Sequence, residues 1–360
     1  MSLANTAVNT TSRPEIVTDP IRVMVVDDSV VARGLMSRWL DADPQLAVIE
    51  TSRTGKVAVE NVSRAEPDVI VLDIEMPDMD GLTALPLLLK ARPGVQVVMA
   101  STLTRRNAEI SLKALSLGAA DYLPKPESNS GVSTSTEFRR ELLEKVKALG
   151  VIGRRSARRG TPAAKANSGL RPVPVANAAT DQSAAPGGSS AVSPARRWSS
   201  AAPRIVAIGS STGGPQALAK VVAALGPVAT RVPVVITQHM PPTFTSILAE
   251  NLGRAAGIPS AEGKDGEELK PGQIYVAPGG KHMLVHNDGG SPRIALNDGP
   301  PVNFCKPAVD PMFECLAKIY GPACLAAVLT GMGNDGGKGA LAIALAALAA
   351  AWFLVAALAA

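Results

Sequence analysis

The sequence predicts an α/β protein of two doubly wound parallel-sheet domains joined by a flexible linker, on three observations. Short apolar, β-branched runs alternate with stretches of helical periodicity in both halves of the chain. Nearly every such run ends in polar side chains able to do chemistry. A segment rich in Pro, Gly, Ser and Ala, residues 151–203, separates the halves. With 360 residues, 46% of them hydrophobic and 19% charged, the chain can build two cores, which excludes a disordered or fibrous protein.

In the first half, residues 20–150, the runs 21–26, 68–72, 95–99 and 121–123 predict strands, and 30–40, 56–65, 82–90, 106–117 and 137–149 predict helices. Units of this length imply parallel strands with right-handed crossovers, and functional residues then gather beyond the strands' carboxyl ends. The residues standing there are Asp27 and Asp28, Asp73, Ser101 in Ala100-Ser101-Thr102, and Lys125 in Pro124-Lys125-Pro126. Three carboxylates in one pocket repel one another unless a divalent cation neutralises them, and an all-oxygen donor set suits magnesium, which keeps waters and accepts a phosphoryl group. A phosphoryl group on Asp73 would need an ammonium and a hydroxyl for its extra oxygens, which Lys125 and Ser101 supply. Any one of these residues alone is an ordinary turn residue; the five together are not.

The linker holds eight Lys or Arg against the single Asp181, a net of +7 in a chain whose whole charge is +5. The globular parts are therefore slightly acidic. With almost no large apolar residues the segment cannot offset its chain entropy by burial. Its arginines lack the interleaved aromatics of a single-strand binder, so no nucleic-acid partner is expected.

The second half, residues 204–360, is organised around R-I-V-A-I-G-S-S-T-G-G-P-Q-A-L-A-K-V-V-A-A-L, which reads as strand, tight turn and helix. Ser210, Ser211 and Thr212 fall in the turn. There, unpaired N–H groups and the helix dipole favour developing negative charge, the place for an acyl-transfer nucleophile; helix capping is the competing role for the same hydroxyls. His239 follows the strand-like run 232–237 and would stand beside the serine turn if the two strands are neighbours. His282 and His286 lie in a glycine-rich hairpin region and are expected to face solvent or a turn; the glycines argue against a helical metal pair. A third run, 324–329, leads into T-G-M-G-N-D-G-G, whose Asp335 is placed to orient an imidazole. The same stretch contains Gly331-x-Gly333-x-x-Gly336, the formal dinucleotide fingerprint, but no acidic residue follows Asp335 to bind a ribose.

Two families are matched by these motifs. V-M-V-V-D-D-S, V-L-D-I-E-M-P-D-M-D-G and Y-L-P-K-P resemble the receiver domain of bacterial two-component response regulators, a flavodoxin-like fold. That resemblance implies Asp73 as phosphoacceptor, Asp27 and Asp28 as partners in holding Mg2+, Ser101 as switch hydroxyl and Lys125 as the phosphate-sensing lysine. A-I-G-S-S-T-G-G, I-T-Q-H-M-P-P-T-F-T, Y-V-A-P-G-G-K-H-M, N-D-G-P-P-V-N and L-T-G-M-G-N-D-G resemble the Rossmann-like catalytic domain of the chemotaxis protein-glutamate methylesterases, over residues 204–340. By this likeness Ser211 rather than Ser210 is the nucleophile, His239 the base and Asp335 the orienter. It further implies demethylation and deamidation of chemoreceptors, a chemotaxis histidine kinase as phosphodonor, no cofactor for the ester step, and release of an inhibitory receiver by phosphorylation.

The chain departs from that family after Gly339, where 21 residues without a polar side chain replace a strand, an acidic turn and a closing helix. Their length meets the crude criterion for a membrane span, but a frameshifted or truncated end is the preferred expectation, leaving an exposed sheet edge and an apolar tail. A damaged esterase beside a working receiver is therefore the alternative function. The polar stretch 1–19 gives no leader, and Cys305, Cys315 and Cys324 form neither a C-x-x-C pair nor an even set. A reduced cytoplasm, with membranes approached only through receptors, is the expected setting.

Overall fold

A computed structural model describes residues 19–102, 104–125, 136–160, 201–287, 289–331, 333–346 and 352–354. The predicted linker and the start of the chain fall largely outside these residues.

The first domain is a five-stranded parallel sheet of order β2-β1-β3-β4-β5, formed by Ile21–Val26, Leu46–Ser52, Val69–Asp73, Gln96–Thr102 and Asp121–Lys125 as β1 to β5. Side chains alternate across each strand, so both faces need apolar cover and the strands read as continuous hydrophobic runs. Val23, Val25, Val69 and Val71 pack under the helices Val30–Asp41 and Thr136–Gly160 with Met36, Leu40, Leu142 and Val146. Met24, Val26, Ile70 and Leu72 face Gly55–Ala65, Gly81–Ala91 and Arg105–Ser116 with Val62, Leu88 and Leu112. Four of these helices start where a short polar side chain accepts an N–H of the first turn: Ser29, Thr54, Asp80 and Thr104. β2 has no counterpart in the sequence reading. It is an edge strand, half-buried along most of its length, and lacks the dense apolar run of its neighbours. The helix expected to end at 149 continues to Gly160, into the segment expected to be linker.

The second domain has a six-stranded parallel sheet of order β13-β12-β6-β7-β9-β8, beside an antiparallel hairpin β10-β11. Its strands are Ile205–Ser210, Val234–Gln238, Ser260–Glu262, Ile274–Val276, His282–His286, Arg293–Asn297, Cys324–Val328 and Trp352–Leu354, as β6 to β13. The chain leaves β6 in one direction to β7 and returns on its other side as β12, so β6 lies at the topological switch point. Helices Gly214–Ala229 and Phe244–Ala256 cover one face, and Val309–Tyr320 with Gly337–Ala346 cover the other. The edge of β12 that the sequence left exposed is paired in parallel with β13. Ile343 is fully buried, so the first part of the apolar tail is core. Among the described residues no helix is long and apolar enough to cross a membrane.

The domains share apolar contact. Tyr122 of β5 stacks on Phe244 with centroids 4.5 Å apart. Gln216 Nε2 donates to the carbonyls of Leu115 and Ala119, at 2.8 and 2.5 Å.

Candidate active site and phosphorylation site

At the carboxyl end of the first sheet the expected residues meet. Lys125 Nζ stands 2.7 Å from Asp27 Oδ2 and 2.7 Å from Asp73 Oδ1. Asp27, Asp28 and Asp73 each offer an oxygen, all within 4.8 Å of one another. Asp27 and Asp73 are buried while Asp28 is exposed, so the cluster opens to solvent on one side. Burial pushes the Asp73 carboxyl up to about 6 against the pull of Lys125, with Asp27 adding to the rise. One ammonium between two buried carboxylates leaves charge unbalanced, and an all-oxygen set fits a hard divalent cation. Ser101 is buried and its hydroxyl pairs with that of Ser111 at 3.0 Å, so it is turned toward the helix Arg105–Ser116.

In the second domain, parallel pairing sets Ser210 opposite Gln238, and β12 flanks β6 on its other side. The turns after β6, β7 and β12 thus converge. The Ser210 hydroxyl is buried and donates to Gln238 Oε1 at 2.7 Å, whereas Ser211 lines an open cleft with His239. A Cβ on Gly214 would collide with Gln238 Oε1, and one on Gly331 would lie 2.7 Å from the Ser211 Cβ; these two glycines let the turn close. The Ser211 N–H is spent on Thr330 O at 2.7 Å. Among the described residues the N–H groups of Thr212 and Gly213 have no acceptor, which leaves two donors free at the turn for an anionic oxygen.

His239 Nε2 donates to Asp335 Oδ2 at 2.6 Å. The same carboxylate accepts the N–H groups of Val309 and Asp310 at 2.6 and 3.1 Å, at the start of the helix Val309–Tyr320, where the dipole favours negative charge. Burial opposes its ionisation, but these donors and His239 hold Asp335 below the usual carboxylate range. Burial likewise opposes a charged His239 ring; Asp335 and Cys305 outweigh it and raise the ring to about 9. Asp335 thus meets His239 while, among the described residues, the Ser211 hydroxyl bonds to neither. The other ring nitrogen, Nδ1, faces the Cys305 thiol at 3.3 Å.

His282 is a correction. It is buried rather than at a turn surface, with Nε2 donating to Pro300 O at 3.1 Å and Nδ1 accepting the Ala308 N–H at 3.1 Å. Cys305, Asn303 and Gln238 were not singled out from the sequence. Gln238 precedes His239 inside a quoted motif, so alternation along the strand could have found it; Cys305 is carried in by a long loop and left no such signal.

The cleft holding Ser211 and His239, about 890 Å³, has its other wall in the first domain, from Tyr122, Phe138, Arg140 and Glu141. Asp121 in β5 lies beside Thr212 of the serine turn, and burial raises its carboxyl against the pull of Lys145.

Two family profiles match the chain: CheB methylesterase over residues 206–351 and response regulator receiver domain over residues 23–135. A Rhodopseudomonas palustris protein, "protein-glutamate methylesterase/protein-glutamine glutaminase of group 2 operon", is 55% identical over 323 residues, covering 89% of this chain and 82% of that one. A Bradyrhizobium diazoefficiens protein of the same name is 53% identical over 340 residues, covering 92% and 84%. Among solved structures, the catalytic domain of the Thermotoga maritima CheB methylesterase is 40% identical, with a TM-score of 0.39, over 41% of this chain and 77% of that one.

Proposed function

The chain belongs to the CheB methylesterase family, with a response regulator receiver domain ahead of the catalytic one, and we propose that it hydrolyses glutamate methyl esters, and deamidates glutamines, on chemoreceptors under control of receiver phosphorylation. The reading rests on one observation above others, the His239–Asp335 pair in a cleft that also exposes Ser211 while Ser210 is buried and committed. Ser211 Oγ attacks the side-chain carbonyl carbon as His239 takes its proton, and the N–H groups of Thr212 and Gly213 receive the oxyanion. His239 returns the proton to the departing methanol, and water then opens the acyl-enzyme by the same route. With a glutamine the leaving group is ammonia.

Control resides in the receiver, taken as residues 20–150 ahead of a catalytic domain of 204–360. Asp73 is the phosphoacceptor, fed by a kinase; Lys125 and Ser101 would meet the phosphoryl oxygens. Asp27, Asp28 and Asp73 would hold magnesium, which supplies the positive charge that lets a phosphoryl donor approach. The receiver forms one wall of the cleft, so its displacement opens the way for a receptor segment. Three free thiols suit a reduced cytosol.

The test is methanol release from methylated receptor membranes by the full chain, with and without a small-molecule phosphodonor and magnesium, beside Ser211→Ala. Release that rises with phosphodonor and vanishes in the variant is expected. Asp73 accepting phosphate without any release would leave only the receiver function standing.

A further inference from the structure

Cys305 touches the reacting group of this site. Its Sγ lies 3.3 Å from His239 Nδ1 and 3.4 Å from Asn303 O, which sets the thiol between the ring nitrogen and a backbone carbonyl. Since Asp335 holds Nε2, Nδ1 is the nitrogen on which the ring can take a proton from a nucleophile. Cys305 occupies it.

The backbone around the thiol is built to aim it. Val302 and Cys305 exchange both N–H to O bonds, at 3.0 and 2.9 Å, across a tight turn whose two central residues, Asn303 and Phe304, are left-handed at φ 50 and 65. Non-glycine residues in that region persist only where surrounding contacts hold them. On one side Asn303 Nδ2 donates to Asp310 Oδ2 at 3.2 Å and Asp335 Oδ1 at 3.4 Å. On the other, Phe304 projects 75% exposed, and the guanidinium of Arg140 from the receiver sits 4.9 Å from its ring centre. The turn is therefore held between the carboxylate that orients the base and the domain that moves.

We propose that Cys305 is a positioning residue of the esterase: in the receiver-closed state its thiol holds the proton-accepting nitrogen of His239, and Ser211 is activated only when the turn Val302–Cys305 gives that nitrogen up. The proposal rests on His239 being the general base. Whichever atom of the pair carries the shared proton, Nδ1 is engaged. Release of the receiver removes Arg140 from Phe304, relaxes the turn and exchanges a thiol for the Ser211 hydroxyl at the ring. The other charged groups around the ring are Asp335 and Lys306 in its own domain and, from the receiver, Asp121 of β5 with the helix residues Glu137, Arg140, Glu141, Glu144, Lys145 and Lys147; substitutions at Cys305 leave all of them in place.

The experiment measures kcat and KM for methanol release between pH 5.5 and 9.5 for the full chain, Cys305→Ala and Cys305→Ser, each with and without phosphodonor. One lost hydrogen bond corresponds to roughly fivefold. Without phosphodonor, Cys305→Ala is expected to raise kcat about fivefold at unchanged KM and to move the acid limb of the profile downward. Cys305→Ser keeps a hydrogen-bonding partner at Nδ1 and is expected to stay at or below the unaltered rate. With phosphodonor all three converge. An alanine variant whose basal rate and acid limb equal those of the unaltered chain overturns the proposal, as does one that loses activity in both states while Asp73 still accepts phosphate. Should the variant not fold, the rate of iodoacetamide alkylation at Cys305 in the unaltered chain at neutral pH decides. A rate that changes severalfold with phosphodonor, as the thiol leaves the ring, supports the pairing, and the same rate in both states overturns it. Retained activity in Ser211→Ala would instead fail the underlying function, which keeps the two failures distinct.

Discussion

The two strand-end sites of this molecule are built by one rule and left in opposite states. In the receiver, Lys125 already bridges Asp27 and Asp73 at 2.7 Å each, so the proposed phosphorylation site is assembled before any phosphate arrives. In the esterase domain only His239 and Asp335 are joined; Ser211 stands in the cleft without a bond to the ring, and a thiol faces the nitrogen it needs. The difference teaches where regulation acts. On the proposed function, a site that must accept a group from a diffusing donor is kept ready, while a hydrolase that must stay silent until signalled is held one contact short of the proposed triad.

The sharpest way to break the comparison is to remove the proposed nucleophile. Ser211→Ala is expected to lower kcat for methanol release by about 10^4- to 10^6-fold, as for serine triads in general, with phosphorylation of Asp73 unchanged. A loss of phosphorylation as well would mean that the two sites are not separable. Asp335→Asn comes next, at about 10^4-fold, because an amide in place of the carboxylate favours the wrong imidazole tautomer. Here the Val309 and Asp310 N–H groups also lose the charge they point at, so a modest drop in melting temperature should accompany it.

How much of this was legible in sequence follows from the same contrast. The receiver carboxylates and Lys125 sit on or directly after strands whose apolar runs are continuous, so locating the strand ends located the site. The turn of Ser210, Ser211 and Thr212, together with His239 and Asp335, was located in the same way, since β6, β7 and β12 are neighbours and their ends converge, but the choice of Ser211 came from the family resemblance and not from position. What stayed hidden comes from segments that do not follow a strand. Cys305 reaches His239 from a loop between the hairpin and the helix Val309–Tyr320, and its position depends on two left-handed residues that carry no glycine to advertise them. β2 was hidden for another reason: an edge strand buries too little to stand out by hydropathy. The apolar tail led to the expectation of a truncated end with an exposed sheet edge, whereas Ile343 packs in the core and Trp352–Leu354 lies along β12.

A milder perturbation tests whether the receiver restrains the serine turn. Gln216 lies in the helix that begins at that turn, and its amide satisfies two receiver carbonyls at the end of Arg105–Ser116. Gln216→Ala removes both donors without touching the triad. Taking about 1 kcal/mol for the net worth of the contact, the open population and hence the unphosphorylated hydrolysis rate should rise roughly fivefold. The phosphorylated rate should stay as it was, because the contact is already broken there. A fall in both rates would place Gln216 in the catalytic fold and not in the restraint.

The smallest effects lie in pH, and they separate the sites by window. Asp73 is raised in the fold from 3.8 to about 6, so the fold prefers it protonated; the stability this contributes is full below about 4 and is lost as pH rises through 6. His239 is raised from 6.5 to about 9, so its contribution is full below about 6.5 and is lost as pH rises through 9. Each shift corresponds to something on the order of 3 kcal/mol. Melting temperature of the magnesium-free chain should therefore fall in two steps on alkalinisation, the first absent in Asp73→Asn and the second absent in His239→Ala. The second step carries the functional consequence, because the proton whose loss destabilises the closed state is the one that must leave before His239 can act as a base. Unphosphorylated hydrolysis should accordingly rise across the same interval in which the chain loses stability. A hydrolysis rate that is flat between pH 6.5 and 9 while melting temperature falls would mean that the ring is not the base in that state.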